Sequence, residues 1–358
     1  MPDIIVVGGG FVGNFLAYLL ARKGIHVQVF EEHREIGHPP HCAGVVSKRG
    51  LKRLGIYSNI LREGAVLSTH KCIRIWIGRE AKIFYLKEDT LLVIDRPLLD
   101  KILFEKAQNR GAEYFLGEKV KELRSDGHVK AGTKLYKSKI VADAEGASKR
   151  LISRLLSYRP EVLPAFQMDI HVEDYRMRRS IIDVYVNVPD FFSWTIPLKE
   201  NIVRIGIASR YVKNKYEFLK RLAKAKYDKF RVLNMFGGLV NVGGPIEKFV
   251  FGKIAVVGDA AGQTKPTTGG GIVWGGISAG ILAKIIELNL NGDVDLRLYE
   301  KVWRDIFGAN LSFMLMLRKA LYFGDPQLKL RFAFLFLPDI VYVSSDYDFQ
   351  LDFIRRIF

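Results

Sequence analysis

Cysteine is scarce in this chain of 358 residues, and long hydrophobic runs are missing from it. With Cys42 and Cys72 alone, a disulfide framework of the kind found in small secreted domains is excluded. A membrane-spanning helix needs about 18 apolar residues, and the most apolar later stretches, residues 272–283 and 332–343, are shorter. The first apolar residues run straight into glycines with no cationic leader, so no signal peptide is predicted. These absences together predict a cytoplasmic protein.

Acidic residues are too few to balance the basic ones. There are 38 Asp and Glu against 55 Lys and Arg, which gives a formal net charge of +17. This excess suits an anionic partner such as nucleic acid, a membrane surface or a phosphorylated substrate, although solubility or a thermophilic origin would also explain it. The basic residues form no patch interleaved with aromatic ones, so nucleic acid is not a predicted partner. With 49% hydrophobic residues, the chain is predicted to be globular and long enough for two domains.

The first glycine-rich segment, "IIVVGGGFVG", predicts a dinucleotide site. Its glycines have G-x-G-x-x-G spacing between a short apolar strand and a helical pattern, and a second strand, "HVQVFE", follows. In such a unit the glycines permit a tight turn, close approach of a pyrophosphate and close packing of helix on strand. An acid at the end of the second strand accepts the ribose hydroxyls. The competing interpretation is a glycine turn needed only for packing. The candidate cofactor-binding residues are Gly8, Gly10, Val12, Gly13 and Glu31.

A second glycine-rich segment, "GDAAGQTKPTTGGGI" at residues 258–272, favours FAD over NAD. Adjacent glycines cost backbone entropy, so something is expected to approach that backbone closely. FAD has a ribityl chain and a ring for another part of the fold to hold, whereas an NAD enzyme has little need of a second loop. The acid would bind a ribityl hydroxyl, and the helix that follows would direct its N-terminal dipole at the ring. The candidate residues are Asp259, Pro266, Gly269, Gly270, Gly271 and Ile272.

Two kinds of segment alternate along the chain. Strand–helix patterns typical of a nucleotide-binding α/β domain are interrupted by short alternating strands such as "KCIRIWIG" and "IVRIGIAS". The predicted fold class is therefore α/β: a Rossmann-like FAD-binding domain with an inserted, mostly antiparallel β-sheet substrate domain and a helical C-terminal tail. The predicted boundaries are 1–70, 95–160 and 248–292 for the FAD-binding domain, 71–94 and 161–247 for the substrate domain, and 293–358 for the tail.

The motifs together resemble the geranylgeranyl reductase family of flavoproteins, within the p-hydroxybenzoate hydroxylase-like superfamily. "GDAAGQTKPTTGGGI", "EIGHPPHCAGVVS" and "DRPLLDKILFEKAQNRGA" are each similar to a segment of that family, and they cover most of the flavin domain. In that family, reduced FAD saturates double bonds of archaeal lipid precursors, chlorophyll side chains or quinone tails. The resemblance implies that the FAD is lined by Glu31, Cys42, Ala43, Gly44, Val45, Arg96, Val120, Asp259, Gly271 and Ile272.

The segment "FFSWTIPLK" resembles the family's substrate motif but departs from it. Phe192 replaces a tyrosine and Ile196 a phenylalanine, while Trp194 and Pro197 are retained. A further departure is Glu145, which stands where superfamily members usually carry aspartate. An apolar substrate chain would need an apolar tunnel in the strand-rich region. The candidate wall residues are Phe166, Phe192, Trp194 and Pro197, with Phe191 beside them, although each is also a typical core residue.

Cys42 is the candidate catalytic residue. Its thiol could donate a proton or act as a redox group beside the flavin, or its backbone alone could contact FAD. His38, His41, His70 and Cys72 invite a metal interpretation, but their spacings match no standard zinc frame. No metal is therefore predicted.

No second dinucleotide motif occurs, so the electrons are expected to come from docked NAD(P)H or from a protein donor such as ferredoxin. A basic surface would suit an acidic donor. Three functions remain open at this point: a prenyl reductase, a flavin monooxygenase of the same superfamily, and a flavoprotein without catalytic activity. The substrate would be an isoprenoid lipid or prenyl diphosphate, including a quinone tail. The aromatic tail "FAFLFLPDIVYV" either touches a membrane or, as we expect, packs against the body of the protein.

Overall fold

The computed structural model describes residues 1–173, 181–199, 201–344 and 346–349. In chain order the strands are β1 (Ile4–Val7), β2 (Val27–Glu31), β3 (Val45–Ser47), β4 (Val66–His70), β5 (Cys72–Ile77), β6 (Glu80–Leu86), β7 (Leu91–Ile94), β8 (Glu113–Leu116), β9 (Val120–Leu123), β10 (His128–Ala131), β11 (Lys134–Lys137), β12 (Ile140–Asp143), β13 (Val162–Val172), β14 (Ile181–Tyr185), β15 (Ser193–Pro197), β16 (Ile202–Ala208), β17 (Phe230–Asn241), β18 (Val250–Phe251), β19 (Ile254–Val256) and β20 (Ile340–Val343). The helices are α1 (Phe11–Ala21), α2 (Lys48–Arg53), α3 (Tyr57–Arg62), α4 (Arg96–Gln108), α5 (Lys215–Lys226), α6 (Ile272–Leu290), α7 (Leu298–Tyr322) and α8 (Pro326–Phe334), with a 3₁₀ turn at Ile152–Arg154.

The chain divides into two compact units. The first contains Met1–His38, Arg96–Val162 and Asn241–Ser312, and the second contains Pro39–Asp95, Leu163–Val240 and Phe313–Phe358. These limits differ from the predicted ones for residues 39–70, which were assigned to the FAD-binding domain. They lie in the second unit because β3 and β4 both pair with β7 in a three-stranded sheet.

The first unit is built on a six-stranded sheet in the order β18-β19-β12-β1-β2-β8. All neighbours are parallel except β18 and β19. The four residues of β1 are all buried, as expected of a parallel strand with both faces covered. Helix α1 connects β1 to β2 and packs against α4 and α6. This is the strand–helix–strand unit predicted from the first glycine segment, and a small antiparallel sheet, β11-β10-β9, completes the unit.

Helix α6 forms much of the core of the first unit. By length and composition it is the one described helix apolar enough to cross a membrane, but more than half of it is buried inside the protein. Its Trp274 packs against Trp303 and Phe307 of α7, at ring-centroid distances of 6.3 and 4.6 Å. The indole of Trp303 donates to Ser278 Oγ at 2.8 Å, so this buried N–H has an acceptor. Burial of this kind is typical of a core helix in a soluble domain.

The second unit is dominated by an eight-stranded sheet in the order β17-β13-β16-β15-β14-β5-β6-β20. It is mostly antiparallel, as predicted, with parallel pairs at β14–β5 and β20–β6. One face of β13 and β16 carries Met168, Ile170 and Ile205, which pack under Leu219 of α5. Strand β17, which begins at Phe230, forms one edge of the sheet.

The C-terminal region differs from the predicted helical tail. Helices α7 and α8 are present, but residues 340–343 form β20, which pairs in parallel with β6. The alternating, β-branched and aromatic sequence "IVYV" suits a strand at a sheet edge. The last part of the predicted tail, residues 350–358, lies outside the described residues.

A hydrogen bond between two buried side chains fixes the turn after β19. Gln263 Oε1 accepts from the Gly258 amide at 2.8 Å, and Gln263 Nε2 donates to the Tyr299 hydroxyl at 2.7 Å. We expect Tyr299→Phe to lower the free energy of unfolding by about 1–3 kcal/mol, because it leaves a buried amide donor without its acceptor. Urea unfolding measures this. Tyr211→Phe, at an exposed ring, is the control; equal stability of the two variants would contradict the expectation.

Candidate FAD site and the face of the substrate sheet

The three glycines of the first motif have different roles. A Cβ at Gly8, where φ is +103°, would lie 2.4 Å from the Ala144 carbonyl oxygen. A Cβ at Gly13 would lie 1.9 Å from the Gly8 carbonyl oxygen. These two glycines therefore make the turn and the helix contact possible. At Gly10 no atom of the described residues lies within 4 Å of the Cβ position, and this residue is the N-cap of α1. An open glycine at a helix N-terminus is what a bound pyrophosphate requires.

Glu31 binds the backbone of this turn. Its Oε2 accepts from the Gly9 amide at 2.6 Å, and its Oε1 accepts from the His33 amide at 2.9 Å. The carboxylate lies at the end of β2, where the sequence placed the ribose-binding acid. Because a carboxylate has about four acceptor positions, Glu31 can hold the turn and still accept a ribose hydroxyl.

The second glycine loop meets the first motif at Val12. A Cβ at Gly258, where φ is +70°, would lie 2.9 Å from the Val12 side chain, and a Cβ at Gly275 would lie 2.7 Å from it. The two predicted cofactor segments are thus brought together, although some 250 residues separate them. Either glycine replaced by a larger residue would push α1 away from the loop.

Asp259 and the start of α6 lie side by side. A Cβ at Gly271 would come within 2.6 Å of Asp259 Oδ1, so the carboxylate lies directly against the helix N-cap. The loop between them closes on Lys265, whose backbone N–H donates to the Gly270 carbonyl and whose carbonyl accepts from the Gly269 amide at 2.7 Å. The predicted group from Asp259 to Ile272 therefore forms one continuous wall, with Pro266 buried inside it.

Lys149 is a component of this wall that sequence reasoning missed. The side chain is buried, and its ammonium donates to Asn241 Oδ1. Asn241 in turn donates to the Asp259 carbonyl oxygen at 3.0 Å and accepts from Thr264 Oγ1 at 3.2 Å. Burial lowers the pKa of Lys149 to about 8, although the charges of Asp259 and Glu145 oppose this shift. The segment "GASKR" carries no periodicity that distinguishes this lysine from an exposed one.

The unusual Glu145 has a structural explanation. Its carboxylate accepts from the amides of Leu151 and Ile152 at 2.9 and 3.0 Å, and so caps the 3₁₀ turn. Its amide donates to Asp143 Oδ1 at 3.1 Å. Burial raises the pKa of Asp143 well above its usual value, and the neighbouring charge of Glu145 adds to this effect.

The remaining predicted residues of the first unit lie apart from these loops in sequence. Arg96 begins α4 and pairs with Asp100 at 3.0 Å, with its guanidinium 5.8 Å from the centre of the Phe11 ring. Val120 begins β9 and is nearly buried. Arg96 thus reaches the first residue of α1, beside the glycine turn.

In the second unit, the Cys42–Val45 loop is fixed by its backbone. The Ala43 carbonyl accepts from Arg204 Nη1 at 3.0 Å, and Arg204 also pairs with Asp169 at 2.8 Å. Gly44 has φ +84°, and a Cβ there would lie 2.4 Å from the Ile94 carbonyl oxygen. The Gly44 amide donates to Cys42 Sγ at 3.4 Å. Arg204, which no motif indicated, is therefore the side chain that holds this loop.

The four predicted wall residues do not share one face of the sheet. Trp194 lies opposite Gly206 and donates to Gln167 Oε1 at 3.3 Å. Phe192, two residues earlier, lies 6.0 Å from its ring. Phe166 instead lies opposite Ile207 and packs with the core under α5. Pro197 likewise lies opposite Val203. Because side chains alternate along a strand, the expectation that all four line one tunnel is wrong, and Trp194 with Phe192 remains.

Comparison with known proteins supports FAD as the cofactor. A family model described as an FAD binding domain matches residues 1–145. A digeranylgeranylglycerophospholipid reductase of Methanococcoides burtonii is 27% identical over 99% of this chain and 91% of its own length. The chain is an FAD-dependent oxidoreductase that is similar in sequence to the geranylgeranyl reductases.

Two solved structures have the fold of this flavoprotein. A geranylgeranyl bacteriochlorophyll reductase-like protein from Thermoplasma acidophilum superposes with a TM-score of 0.86 at 21% identity, over 99% of this chain and 95% of its own. The p-nitrophenol 4-monooxygenase of Pseudomonas putida gives 0.75 at 20% identity, over 100% and 96%. At these identities the likeness establishes the architecture alone, and oxidoreductases with different chemistry share it.

The close approach of Gly271 to Asp259 makes FAD binding sensitive to one methyl group. We expect Gly271→Ala to weaken FAD binding at least about tenfold, because a clash of this size costs about 1–3 kcal/mol and displaces the carboxylate. Fluorescence titration of the apoprotein with FAD measures this. Gly280→Ala, in the same helix but with no described atom within 4 Å, is the control. Unchanged FAD affinity in Gly271→Ala would show that Asp259 does not hold the cofactor.

The lowered pKa of Lys149 predicts a dependence of stability on pH. Unfolding raises this pKa from about 8 to the ordinary lysine value of 10.5, so the unfolded chain takes up a proton between these values. The contribution of Lys149 to stability therefore rises as the pH rises through that window. Urea unfolding of the apoprotein and of Lys149→Met at about pH 7 and about pH 10 measures this. The difference, wild type minus variant, should grow with pH; a constant difference would contradict the shift.

Proposed function

We propose that this flavoprotein reduces carbon–carbon double bonds of isoprenoid, geranylgeranyl-type chains, and that its substrates are precursors of archaeal-type membrane lipids. The observation that carries this proposal is the match over nearly the whole chain to a protein named digeranylgeranylglycerophospholipid reductase. A second such reductase, from Methanothermobacter thermautotrophicus, is 28% identical over 91% of this chain. The match includes the substrate sheet, which the FAD-domain model does not reach.

The chain supplies a fitting place for the cofactor. Gly10 at the N-terminus of α1 would face the pyrophosphate, Glu31 the ribose and Asp259 the ribityl chain. The N-terminus of α6 would stabilise negative charge on the ring. When bound in its reduced form, FAD supplies a hydride for the double bond.

The other carbon of the double bond needs a proton, and we propose that Cys42 delivers it. The thiol is free and partly exposed, and the Gly44 amide orients its sulfur. The loop around it is rigid, since Arg204 and the Ile94 backbone hold Ala43 and Gly44. Once the double bond has accepted hydride and proton, the oxidised cofactor must be reduced again by NAD(P)H or ferredoxin.

An apolar substrate also fits the face that carries Trp194. A Cβ at Gly206 would lie 2.3 Å from the indole, so the absence of a side chain at Gly206 lets this ring lie flat on the sheet. Phe192 and Ile196, the two departures from the family motif, keep the segment apolar. We further propose a cytoplasmic location, where both free thiols would remain reduced and the proposed electron donors are present.

The test uses the FAD-loaded protein, reduced anaerobically with dithionite and mixed with geranylgeranyl diphosphate or geranylgeranylated glycerol phosphate. Mass spectrometry should find products that have gained two hydrogens for each saturated bond. Cys42→Ala should bind FAD normally but turn over at least about tenfold more slowly, as for loss of a proton donor. Normal turnover would remove Cys42 from the mechanism.

The alternative is a monooxygenase, which shares the fold. In that case the oxidised protein would consume oxygen with NADPH and an aromatic substrate and would leave all prenyl lipids unchanged. That result would contradict the reductase proposal while leaving FAD binding intact.

A further inference from the structure

A group of large apolar side chains near the C-terminus is exposed to solvent. The exposed fractions are 83% for Phe323, 67% for Leu328, 65% for Phe332, 76% for Leu335 and 73% for Phe336. We call these five residues the tail patch. The expectation that the aromatic tail packs against the body of the protein is confirmed for Phe334 and for β20, where Val341 and Val343 are buried, but it is wrong for Phe332, Leu335 and Phe336. Phe332 and Phe336 contact each other, with ring centroids 5.3 Å apart. Exposed apolar side chains grouped in this way often mark an interaction site.

Helix α8 carries Leu328 and Phe332 of the tail patch, and Leu335 and Phe336 follow it directly. Asp325 caps α8 by accepting from the amides of Gln327 and Leu328 at 2.8 and 3.3 Å. Pro326 and Phe334 are the buried residues that attach α8 to the second unit, where it packs against β5. Burial of these two residues leaves Leu328 and Phe332 exposed on the same helix. These two patch residues are thus held by a capped helix.

Basic side chains lie beside the tail-patch residues in sequence. Lys319, Lys329 and Arg331 are all exposed, and of the two nearby acids Asp325 is engaged as the helix cap and Asp339 pairs with Lys82 at 2.9 Å. Lys329 donates to the Ala320 carbonyl, so its charge lies beside the helix end. Aromatic and leucine side chains bordered by Lys and Arg are the composition of a surface that rests at the boundary between lipid headgroups and acyl chains.

We propose that the tail patch is a membrane-docking surface that binds an anionic lipid bilayer. Charge favours this occupant over a second copy of the chain, because an identical patch has the same cations around it and each copy has a net charge of +17. The proposal extends the proposed function, since a lipid substrate is found in a membrane, but lipid binding is measured separately from catalysis.

The experiment is flotation of the FAD-loaded full-length protein with vesicles of phosphatidylcholine, with and without phosphatidylglycerol. Wild-type protein should float with the anionic vesicles. The variant Phe332→Ser, Leu335→Ser, Phe336→Ser should lose at least about tenfold in vesicle affinity, because it loses the inserted apolar groups. Lys319→Gln with Arg331→Gln should weaken binding to anionic vesicles by about tenfold or more and leave neutral vesicles unaffected.

The control variant is Leu233→Ser, Met235→Ser, which removes exposed apolar side chains from β17, the edge strand at the opposite end of the sheet order from β20. It should float like wild type. Loss of flotation in this control, flotation of the tail-patch variant at the wild-type level, or no flotation of wild type would each overturn the proposal. Light scattering that finds a dimer dependent on the tail patch would also overturn it.

Reduction of a detergent-dispersed prenyl lipid separates the two proposals. If the tail-patch variant reduces dispersed substrate like wild type but fails on vesicles, the surface serves substrate access. If no prenyl lipid is reduced while flotation still depends on the tail patch, the docking surface holds and the proposed reaction is wrong.

Discussion

The close contact of the Val12 side chain with the backbone of Gly258 and Gly275 is the constraint on which the first unit depends. The side chain of Val12 fits into space left by the missing side chains of Gly258 and Gly275, and the turn that holds it exists because Gly8 and Gly13 have none. Close packing of this kind transmits displacement, since protein interiors have few voids. The open N-terminus of α1 and the Asp259 loop are therefore positioned by the same contact. A larger residue at either glycine would separate two parts of one binding surface.

Buried polar groups support the second loop and make it costly to rearrange. Lys149 and Thr264 both bind Asn241, which binds the backbone of Asp259. A buried lysine loses hydration, and the fall in its pKa reflects that loss. The negative charges of Asp259 and Glu145 stabilise the ammonium group and oppose part of this fall in pKa. The result is a loop whose geometry depends on a satisfied network, because removal of one partner would leave another buried group without its hydrogen bond.

The sequence predicted those features that depend on local chemistry. The glycine turn, Glu31, the Asp259 loop and α6 follow from residue types that few other conformations use. The face of the sheet on which a side chain lies depends on strand register and could not be predicted from the sequence. Phe166 and Trp194 are both aromatic, yet the pairing of β13, β15 and β16 places them on opposite faces. Lys149 and Arg204 were missed because a buried charge becomes recognisable only when its partners, distant in sequence, are known.

The eight-stranded sheet and the tail differ in how far their aromatic residues are buried. In the sheet, the Trp194 ring packs against Gly206 and is nearly buried. Its N–H still has a hydrogen-bond acceptor, Gln167 Oε1. In the tail, Phe332 and Phe336 contact each other at 5.3 Å but leave most of their surface in water. Burial of apolar surface contributes about 25 cal/mol of folding free energy per Å², and these exposed side chains do not make that contribution. Phe332 lies on a capped helix and Phe336 follows that helix by two residues, so their exposure argues for a partner that covers them.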